Sequence, residues 1–363
     1  MARILQISFI DPYSPQASGA SVSLLRETAF LQKRHHVDTI VVDWRDRLHT
    51  QQIDGIRTFF RGKRVSLRTP FPCSSRVNAA TTQAVAEAMR TCDYVLVQGL
   101  QSYQLFVAGA ARAGGLGDRK SAIVFHDIES EYFRNAARYT KPLPAKLYYL
   151  FNGWQFSALE RQIVSQMRNL FFVTEEDKQS ARSLVDDGIA RNMAVLKIPP
   201  GELSWSPPHN TVTTVGYFGD CTLAMNLVPL VEELSQLGDL PIRILIAGQG
   251  SDRIERLPAN TQALGYVENL NAFLNRCDVL WFPIRHEGGV KIKILDAVGS
   301  GAPVITTRLG LKGFPQQGCD NVFIYRNMAE LRQMITDWKG GTFAATVRPT
   351  ADDIACLDPL NWI

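Results

Sequence analysis

The sequence contains few of the patterns that mark disulfide-bonded, zinc-binding or membrane-spanning proteins. Its six cysteines are scattered without a Cys-x-x-Cys pair, so it predicts neither a disulfide framework nor a zinc site. No apolar run approaches the ~18–20 residues that a bilayer crossing needs. The apolar stretch at the N-terminus ends at Asp11 and Pro12, which makes it too short for a signal peptide. We therefore expect a cytoplasmic protein.

Motifs of several large enzyme classes are missing as well. The patterns GxxxxGK[ST], GxSxG and HExxH do not occur, so the corresponding phosphate, nucleophile and zinc sites are not expected. Residues 248–253, Gly-Gln-Gly-Ser-Asp-Arg, begin like a dinucleotide fingerprint, but Arg253 occupies the third glycine position. We expect neither NAD binding nor a nucleic-acid partner.

Length and composition indicate a globular protein of two domains. The chain has 363 residues, of which 45% are hydrophobic and 20% charged, and domains usually contain about 100–200 residues. Residues 1–200 carry 26 Lys or Arg against 18 Asp or Glu, whereas residues 201–363 carry 13 against 17. This asymmetry suggests two domains with different partners, the basic one facing something anionic.

Short apolar runs alternate with helical patterns in both halves of the chain. Strand-like runs in the first half are residues 3–10, 37–43, 94–99, 121–127 and 169–174. The alternation restarts after residues 199–211, which contain four prolines. Such alternation predicts parallel sheets covered by helices. We expect an α/β protein of two Rossmann-like, doubly wound domains facing across a cleft, divided into a first domain (1–198), a linker (199–211), a second domain (212–340) and a tail (341–363) that could cross back to the first domain.

Residues 282–307 are the least generic part of this pattern. A strand ends at Phe282, Gly288 and Gly289 follow, and an apolar helical pattern containing Lys291, Lys293 and Asp296 comes next. Glycines that open a helix create an anion site, because the first-turn amides and the helix dipole point towards the ligand. The two lysines would add the charge that a diphosphate requires, and Asp296 could accept hydrogen bonds from ribose. The alternative is an amphipathic helix with solvated lysines.

This segment resembles the donor-binding segment of the retaining glycosyltransferases of family 4, which have the GT-B architecture. That family has a Pro, a Gly-x-Gly turn, a Lys two residues before an Ile/Leu-Leu-Glu-Ala helix core, and then Gly-x-Pro-Val. The positions that match are Lys293, Ala297, Gly301, Pro303, Val304 and Gly310. Weaker similarities extend the resemblance over about residues 3–335.

The resemblance implies roles for residues in both halves of the chain. Lys293, helped by Lys291, would neutralise the nucleotide diphosphate as it leaves, without a metal. Asp296 would hold the ribose, and His126 would lie near the transferred sugar. The remaining implied donor contacts are Gly19, Gly219, Tyr266, Val267, Glu287, Gly288, Gly289 and Val290.

Two departures from the family pattern bear on activity. Family members often carry two acids separated by seven residues, but eight residues separate Glu287 from Asp296, and alignment on Asp296 puts Gly288 at the first acid. The sequence therefore fits a Gly-x-Gly-x-Lys-x-Lys subset. The loop 219–226 also lacks the Arg or Lys that many members have there. Each absent charge-assisted bond is worth roughly 1.5–3 kcal/mol, which leaves weak donor binding or an inactive relative open.

Two features of the first domain allow more than one interpretation. His126 could orient the sugar, Asp127 and Glu129 could bind a divalent metal, or Asp127 could cap a helix with His126 buried beside it. Residues 132–156 contain eight aromatic residues interleaved with Arg134, Arg138, Lys141 and Lys146. They could form an acceptor or membrane-surface patch, or a long helix packed into the core.

We therefore expect a retaining, metal-independent glycosyltransferase with a UDP- or GDP-sugar donor and no cofactor. The expected acceptor is an anionic or lipid-linked glycan or a glycoprotein, in the synthesis of bacterial polysaccharide or glycoconjugate, with possible peripheral contact at the inner membrane face through the first domain. A nucleotide-sugar epimerase or hydrolase of the same fold, and a non-catalytic binding partner, are the alternatives.

Overall fold

The computed structural model describes residues 1–13, 19–43, 55–60, 62, 65–116, 120–184, 192–198, 200–314 and 320–338. These residues form two compact units. The N-terminal unit contains described residues from 1–134 and 144–198, and the C-terminal unit contains described residues from 135–143 and 200–338. The predicted boundaries at 198, 211 and 340 stay predictions, and the predicted tail, 341–363, lies outside the described residues.

The N-terminal unit is built on a parallel sheet of seven strands. The strands are β1 (Arg3–Ser8), β2 (His36–Asp43), β3 (Ile56–Phe60), β4 (Tyr94–Gln98), β5 (Lys120–Phe125), β6 (Asn169–Phe172) and β7 (Asn192–Val195). Their order in the sheet is β3-β2-β1-β4-β5-β6-β7. The central strands are almost wholly buried, as expected when helices cover both faces of a parallel sheet.

Seven α-helices are described between residues 19 and 182, all within this unit except for residues 135–139 and 143. They are α1 (Gly19–Gln32), α2 (Phe71–Ser74), α3 (Ala79–Met89), α4 (Tyr103–Arg112), α5 (Glu129–Tyr139), α6 (Leu143–Gln166) and α7 (Glu175–Arg182). Local sequence explains several starts. The side chain of Asn78 accepts the Thr81 N–H at the beginning of α3, and the side chain of Thr174 accepts the Asp177 N–H at the beginning of α7, which are the usual N-cap bonds.

The C-terminal unit has a parallel sheet of six strands. They are β8 (Thr214–Phe218), β9 (Arg243–Ala247), β10 (Thr261–Ala263), β11 (Val279–Phe282), β12 (Val304–Thr306) and β13 (Val322–Ile324), in the order β10-β9-β8-β11-β12-β13. The helices are α8 (Ala224–Leu234), α9 (Leu270–Leu274), α10 (Ile292–Gly299) and α11 (Met328–Thr336). The predicted class, an α/β protein with two Rossmann-like parallel-sheet domains, is confirmed.

The C-terminal end of α10 is explained by two glycines. The helix ends at Gly299, and Gly301 has a φ of 85°, the left-handed conformation that commonly follows a helix. A Cβ at Gly299 would lie 2.5 Å from the Cβ of Pro200. Glycine at position 299 therefore lets the start of the predicted linker pack directly on the helix.

The aromatic segment forms two helices rather than one. α5 ends at Tyr139 and α6 begins at Leu143. Pro142 lies in the break, where it disfavours a helical conformation in Lys141, the residue before it. Pro144 lies in the first turn of α6, where proline is tolerated. Phe133 and Phe156 pack in the core with ring centroids 5.0 Å apart. No helix in the described ranges is both long and apolar enough to span a bilayer.

Candidate functional site

A Gly-Gly turn connects β11 to α10. Gly288 and Gly289 are buried and have φ angles of 112° and 40°, in the region that favours glycine. The helix itself begins at Ile292, with Lys291 at the N-cap position. The glycines therefore precede the helix by a short extended step, rather than opening it directly as the sequence predicted.

Lys293 lies in the first turn of α10 and is held between aromatic rings. Its Nζ donates hydrogen bonds to Tyr217 Oη at 3.1 Å and to Asn226 Oδ1 at 3.2 Å. The same ammonium lies 4.9 Å from the ring centroid of Tyr217 and 5.9 Å from that of Phe282, distances at which a cation is attracted by an aromatic face. These contacts fix one cation where β8 and β11 end. We call Lys293, Tyr217, Asn226 and Phe282 the lysine cage.

Burial lowers the pKa of Lys293 to about 7. The neighbouring Lys291 lowers that pKa further, whereas Cys221 and Asp220 raise it. Asp220 therefore compensates only part of the cost of burying this ammonium. The cage is thus suited to receive a negatively charged ligand, which would restore the charge on Lys293.

The loops after three adjacent strands are bonded to one another beside the cage. Gly219 N donates to the carbonyl of Ala247 at 3.1 Å, and Gly248 N donates to that of Gly265 at 2.7 Å. Gly248 has a φ of 122°, and a Cβ there would lie 2.0 Å from the Gly219 oxygen. A side chain at 248 would therefore separate the loops. A Cβ at Gly219 would lie 3.2 Å from Lys293 Nζ, so glycine at 219 also keeps backbone close to the cation.

Lys291 and Asp296 are both engaged by backbone groups. The Lys291 ammonium donates to the carbonyl of Gly288 and, at 3.5 Å, to that of Gly289. Asp296 is buried, and its Oδ1 accepts the N–H of Gly201 at 2.7 Å. Asp296 therefore ties α10 to residues just after Pro200, and its role towards ribose stays a prediction.

An ion pair that the sequence did not indicate anchors the loop before the Gly-Gly turn. Arg285 Nη2 donates to Glu233 Oε1 at 2.9 Å, and Arg285 Nη1 donates to Glu232 Oε2 at 2.5 Å. Tyr325 Oη donates to the other oxygen of Glu233 at 2.6 Å. Glu233 is buried, and removing one partner of such a pair is costly. No local sequence signal joins residues so far apart in the chain.

His286 is a second residue near the lysines that sequence reasoning missed. Its side chain is buried, and Nδ1 has no hydrogen-bond partner within the described part of the chain. Burial, and then Lys291 and Lys293, lower the pKa of His286 to about 3. The imidazole is therefore neutral at physiological pH and adds no charge to the site.

In the N-terminal unit, His126 ends a buried hydrogen-bonded chain. Gln98 Nε2 donates to Glu27 Oε1 at 2.7 Å, and Gln98 Oε1 lies 2.8 Å from His126 Nε2. Because the amide nitrogen of Gln98 is used as a donor, its oxygen accepts, and His126 carries its proton on Nε2. Burial lowers the pKa of His126 to about 4. A neutral imidazole with Nδ1 as an acceptor results. Gln98, at the end of the strand beside β5, was not singled out from the sequence.

The other predicted residues occupy less constrained positions. Gly19 is the exposed first residue of α1, and its preceding loop lies outside the described residues. Tyr266 is 60% exposed after β10, and Val267 beside it is half-buried. Glu287 is exposed and Val290 half-buried, on either side of the Gly-Gly turn.

The structure also bears on the metal alternative for residues 127–129. Glu129 is buried, and its Oε1 accepts from Gln101 Nε2 at 2.6 Å. Burial, and then Asp127, raise the pKa of Glu129 to about 8. Within the described ranges, no group of three or more His, Cys, Asp or Glu side chains is placed to hold a metal ion.

Comparisons with known proteins identify similar domains and folds. Residues 211–338 match the family model described as "Glycosyl transferases group 1". HepE from Anabaena, solved with UDP and glucose, is 15% identical with a TM-score of 0.66, and the match covers 99% of this chain and 97% of HepE. A glycosyltransferase from Rickettsia africae is 15% identical with a TM-score of 0.60, over 92% of this chain and 87% of that one.

A third solved structure, a TarM variant from S. aureus, contains fondaparinux, α-GlcNAc-glycerol and UDP. It is 11% identical with a TM-score of 0.61, and the match covers 93% of this chain and 92% of TarM. A search of curated proteins finds no match. At these identities the solved structures show the fold. They show that the chain has the fold of GT-B glycosyltransferases, and the family match shows that residues 211–338 are similar to the glycosyl transferases of group 1.

Proposed function

We propose that the protein transfers a sugar from a UDP- or GDP-sugar to an acceptor hydroxyl, with retention of anomeric configuration and without a metal. The lysine cage is the observation that carries this proposal. The matching family and the UDP and UDP-glucose complexes named for HepE favour a nucleotide sugar over other anions. Gly289, Lys291 and Lys293 support assignment to the Gly-x-Gly-x-Lys-x-Lys subset, with Glu287 at the position of the first glycine.

The cage accounts for electrostatic catalysis by a single preorganised cation. A diphosphate at the N-terminus of α10 would be bound by Lys293, by the backbone of Gly219 and by the Gly-Gly turn. When the bond to the sugar breaks, negative charge grows on the leaving diphosphate, and a cation that is already in place stabilises it without rearrangement. The two hydrogen bonds and two ring contacts of Lys293 keep the cation in place.

The remaining donor contacts are proposed from the resemblance to the family. Tyr266 and Val267 would border the base, Asp296 the ribose, and Glu287 and Val290 the sugar and phosphates. The carboxylate that would bind ribose already accepts a hydrogen bond from Gly201 N through Oδ1. Its place on the helix is therefore fixed by the protein rather than by the ligand.

The N-terminal unit would contribute sugar and acceptor contacts. Nδ1 of His126, left as an acceptor by the Gln98 bond, would take a hydrogen bond from a hydroxyl of the transferred sugar, and Gly19 would adjoin the phosphates. An anionic or lipid-linked glycan, or a glycoprotein, in polysaccharide or glycoconjugate synthesis fits the net positive charge of residues 1–200.

Nucleotide release from a panel of UDP- and GDP-sugars tests the proposal. We expect release that requires an acceptor, that persists in EDTA, and that gives a product whose anomeric signal by NMR matches the donor. Lys293→Ala should lower kcat at least 100-fold, because it removes the cation that faces the leaving group. Arg243→Ala is the matched control, since Arg243 is exposed at the opposite end of β9 and its loss should leave turnover unchanged.

The same panel separates the two alternatives. Nucleotide release without any acceptor would identify a hydrolase. Inversion of configuration at one carbon of the sugar would identify an epimerase. Absence of UDP and GDP binding by a folded protein would identify a non-catalytic relative, which the lack of Lys or Arg in residues 219–226 would then explain. Turnover of Lys293→Ala within a few-fold of the parent would refute the assigned phosphate site.

A further inference from the structure

The first half of α6 exposes a row of large apolar side chains. Leu147, Leu150, Phe151 and Trp154 are 56%, 45%, 44% and 67% exposed. Their spacing of three and four residues places them on one face of the helix. The buried residues of α6, from Asn152 to Val164, lie on the opposite face. The core therefore does not use this row.

A second segment with exposed apolar side chains is tied to α6. Gln155 Nε2 donates to the carbonyls of Ser66 and Leu67 at 3.2 and 2.9 Å, which holds residues 65–67 beside α6. Val65 and Leu67 are 74% and 81% exposed. We call Val65, Leu67, Leu147, Leu150, Phe151 and Trp154 the apolar ridge. Solvent-exposed side chains of this size occur singly on most proteins, whereas a contiguous group marks an interaction surface.

Two exposed cations flank the ridge. Residues 132–159 contain no Asp or Glu but four Lys or Arg. Lys146 lies within the first turn of α6 and is exposed, and Arg68 is exposed next to Leu67. Contact with another protein would need only the apolar side chains. An apolar strip flanked by cations also complements an anionic lipid bilayer, whose interior is apolar and whose headgroups are negatively charged.

We propose that the apolar ridge docks on an anionic lipid surface. The rings of Phe151 and Trp154 are stacked, with centroids 6.1 Å apart, and would enter the boundary between headgroups and acyl chains, where Trp is favoured. Lys146 and Arg68 would contact the headgroup phosphates. This inference goes beyond the proposed function, because it concerns the surface on which a lipid-linked acceptor would be presented. Vesicle binding can be measured without turnover, so the two are tested separately.

Sedimentation of the full-length protein with vesicles tests this surface. One vesicle preparation contains phosphatidylcholine alone, and the other contains 30% phosphatidylglycerol. We expect binding to the anionic vesicles that weakens at high salt, about tenfold or more weaker binding by the double variant Phe151→Ser/Trp154→Ser, and roughly fivefold weaker binding by Lys146→Glu. Val107→Ser and Lys33→Glu are matched controls, because both residues are exposed in the same unit away from the ridge.

The outcomes separate the possible occupants of the ridge. Loss of vesicle binding in the ridge variants, with binding by the controls kept, supports the proposal. Vesicle binding that the ridge variants leave unchanged, or no vesicle binding at all, overturns it. A dimer that Phe151→Ser/Trp154→Ser dissociates in light scattering, without vesicle binding, would overturn it in favour of a second copy of the chain. Normal nucleotide release by a variant that no longer binds vesicles would leave the proposed function standing.

Discussion

The affinity for UDP should fall as the pH rises from 7.5 to 9, because Lys293 loses its proton in the free protein but keeps it beside a diphosphate. Burial lowers the pKa of Lys293 to about 7 in the free protein, whereas a bound anion would raise it again. Above pH 7, Lys293 must therefore take up a proton when UDP binds, and each further increase in pH weakens the binding. The terminal phosphate of UDP is already ionised in this range, because its pKa is about 6.

The magnitude follows from the charged fraction of Lys293. With a pKa of about 7, that fraction falls from roughly a quarter at pH 7.5 to about one hundredth at pH 9. The dissociation constant of UDP should therefore rise roughly 20-fold, or about 2 kcal/mol, over this interval. Isothermal titration calorimetry in two buffers of different ionisation enthalpy would measure both the affinity and the uptake of close to one proton.

Two variants isolate Lys293 from other titrating groups. Lys293→Arg keeps a charge that does not titrate in this range, so any affinity it retains should be independent of pH between 7.5 and 9. Lys293→Met should bind UDP at least tenfold more weakly at pH 7.5, also without a steep pH dependence. A flat profile for the parent protein, or the parent's slope persisting in Lys293→Met, would refute the reasoning.

Three further substitutions test the structure around the site. Gln98→Leu should lower kcat about tenfold and shift the pH profile of kcat, with little change in the donor KM. The reason is that His126 loses the acceptor that fixes its tautomer. A pH profile identical to the parent's would argue against a role of Gln98 in positioning His126. Gly248→Ala should lower the free energy of unfolding in urea by about 3 kcal/mol, because its Cβ would lie 2.0 Å from the Gly219 oxygen. Asp296→Asn keeps an acceptor for the backbone bond, so its urea midpoint should stay near the parent's while UDP affinity falls about tenfold; unchanged affinity would remove Asp296 from the ribose site.

The fold was largely predictable because the buried parallel strands are continuous apolar runs. β1, β4 and β6 lie within the runs that the sequence indicated. The strands that the sequence did not indicate, β3, β7, β10 and β13, lie at sheet edges. β10 (Thr261–Ala263) and β13 (Val322–Ile324) have three residues each and are partly exposed, so neither length nor hydrophobicity distinguishes them from loops.

The site was predictable only where its residues are adjacent in the chain. The Gly-Gly turn and the two lysines form one local pattern, and the sequence therefore indicated an anion site. The partners that hold Lys293, by contrast, come from β8, α8 and β11. Likewise, Gln98 meets His126 and Glu27 through strand pairing and helix packing. Such contacts depend on the arrangement of elements in space, which no local spacing encodes.

The charge distribution explains why one caged lysine matters so much here. Residues 201–363 carry a net negative charge, and residues 219–226 contain Asp220 but no Lys or Arg. A diphosphate therefore gains nothing from the overall charge of the C-terminal unit, and its binding must come from local cations and amides. A lysine that is half-deprotonated near pH 7 limits repulsion from Lys291 while the site is empty. In the proposed reaction, the incoming diphosphate would restore the charge at the place where charge grows during sugar transfer, and donor binding would itself complete the electrostatics of the site.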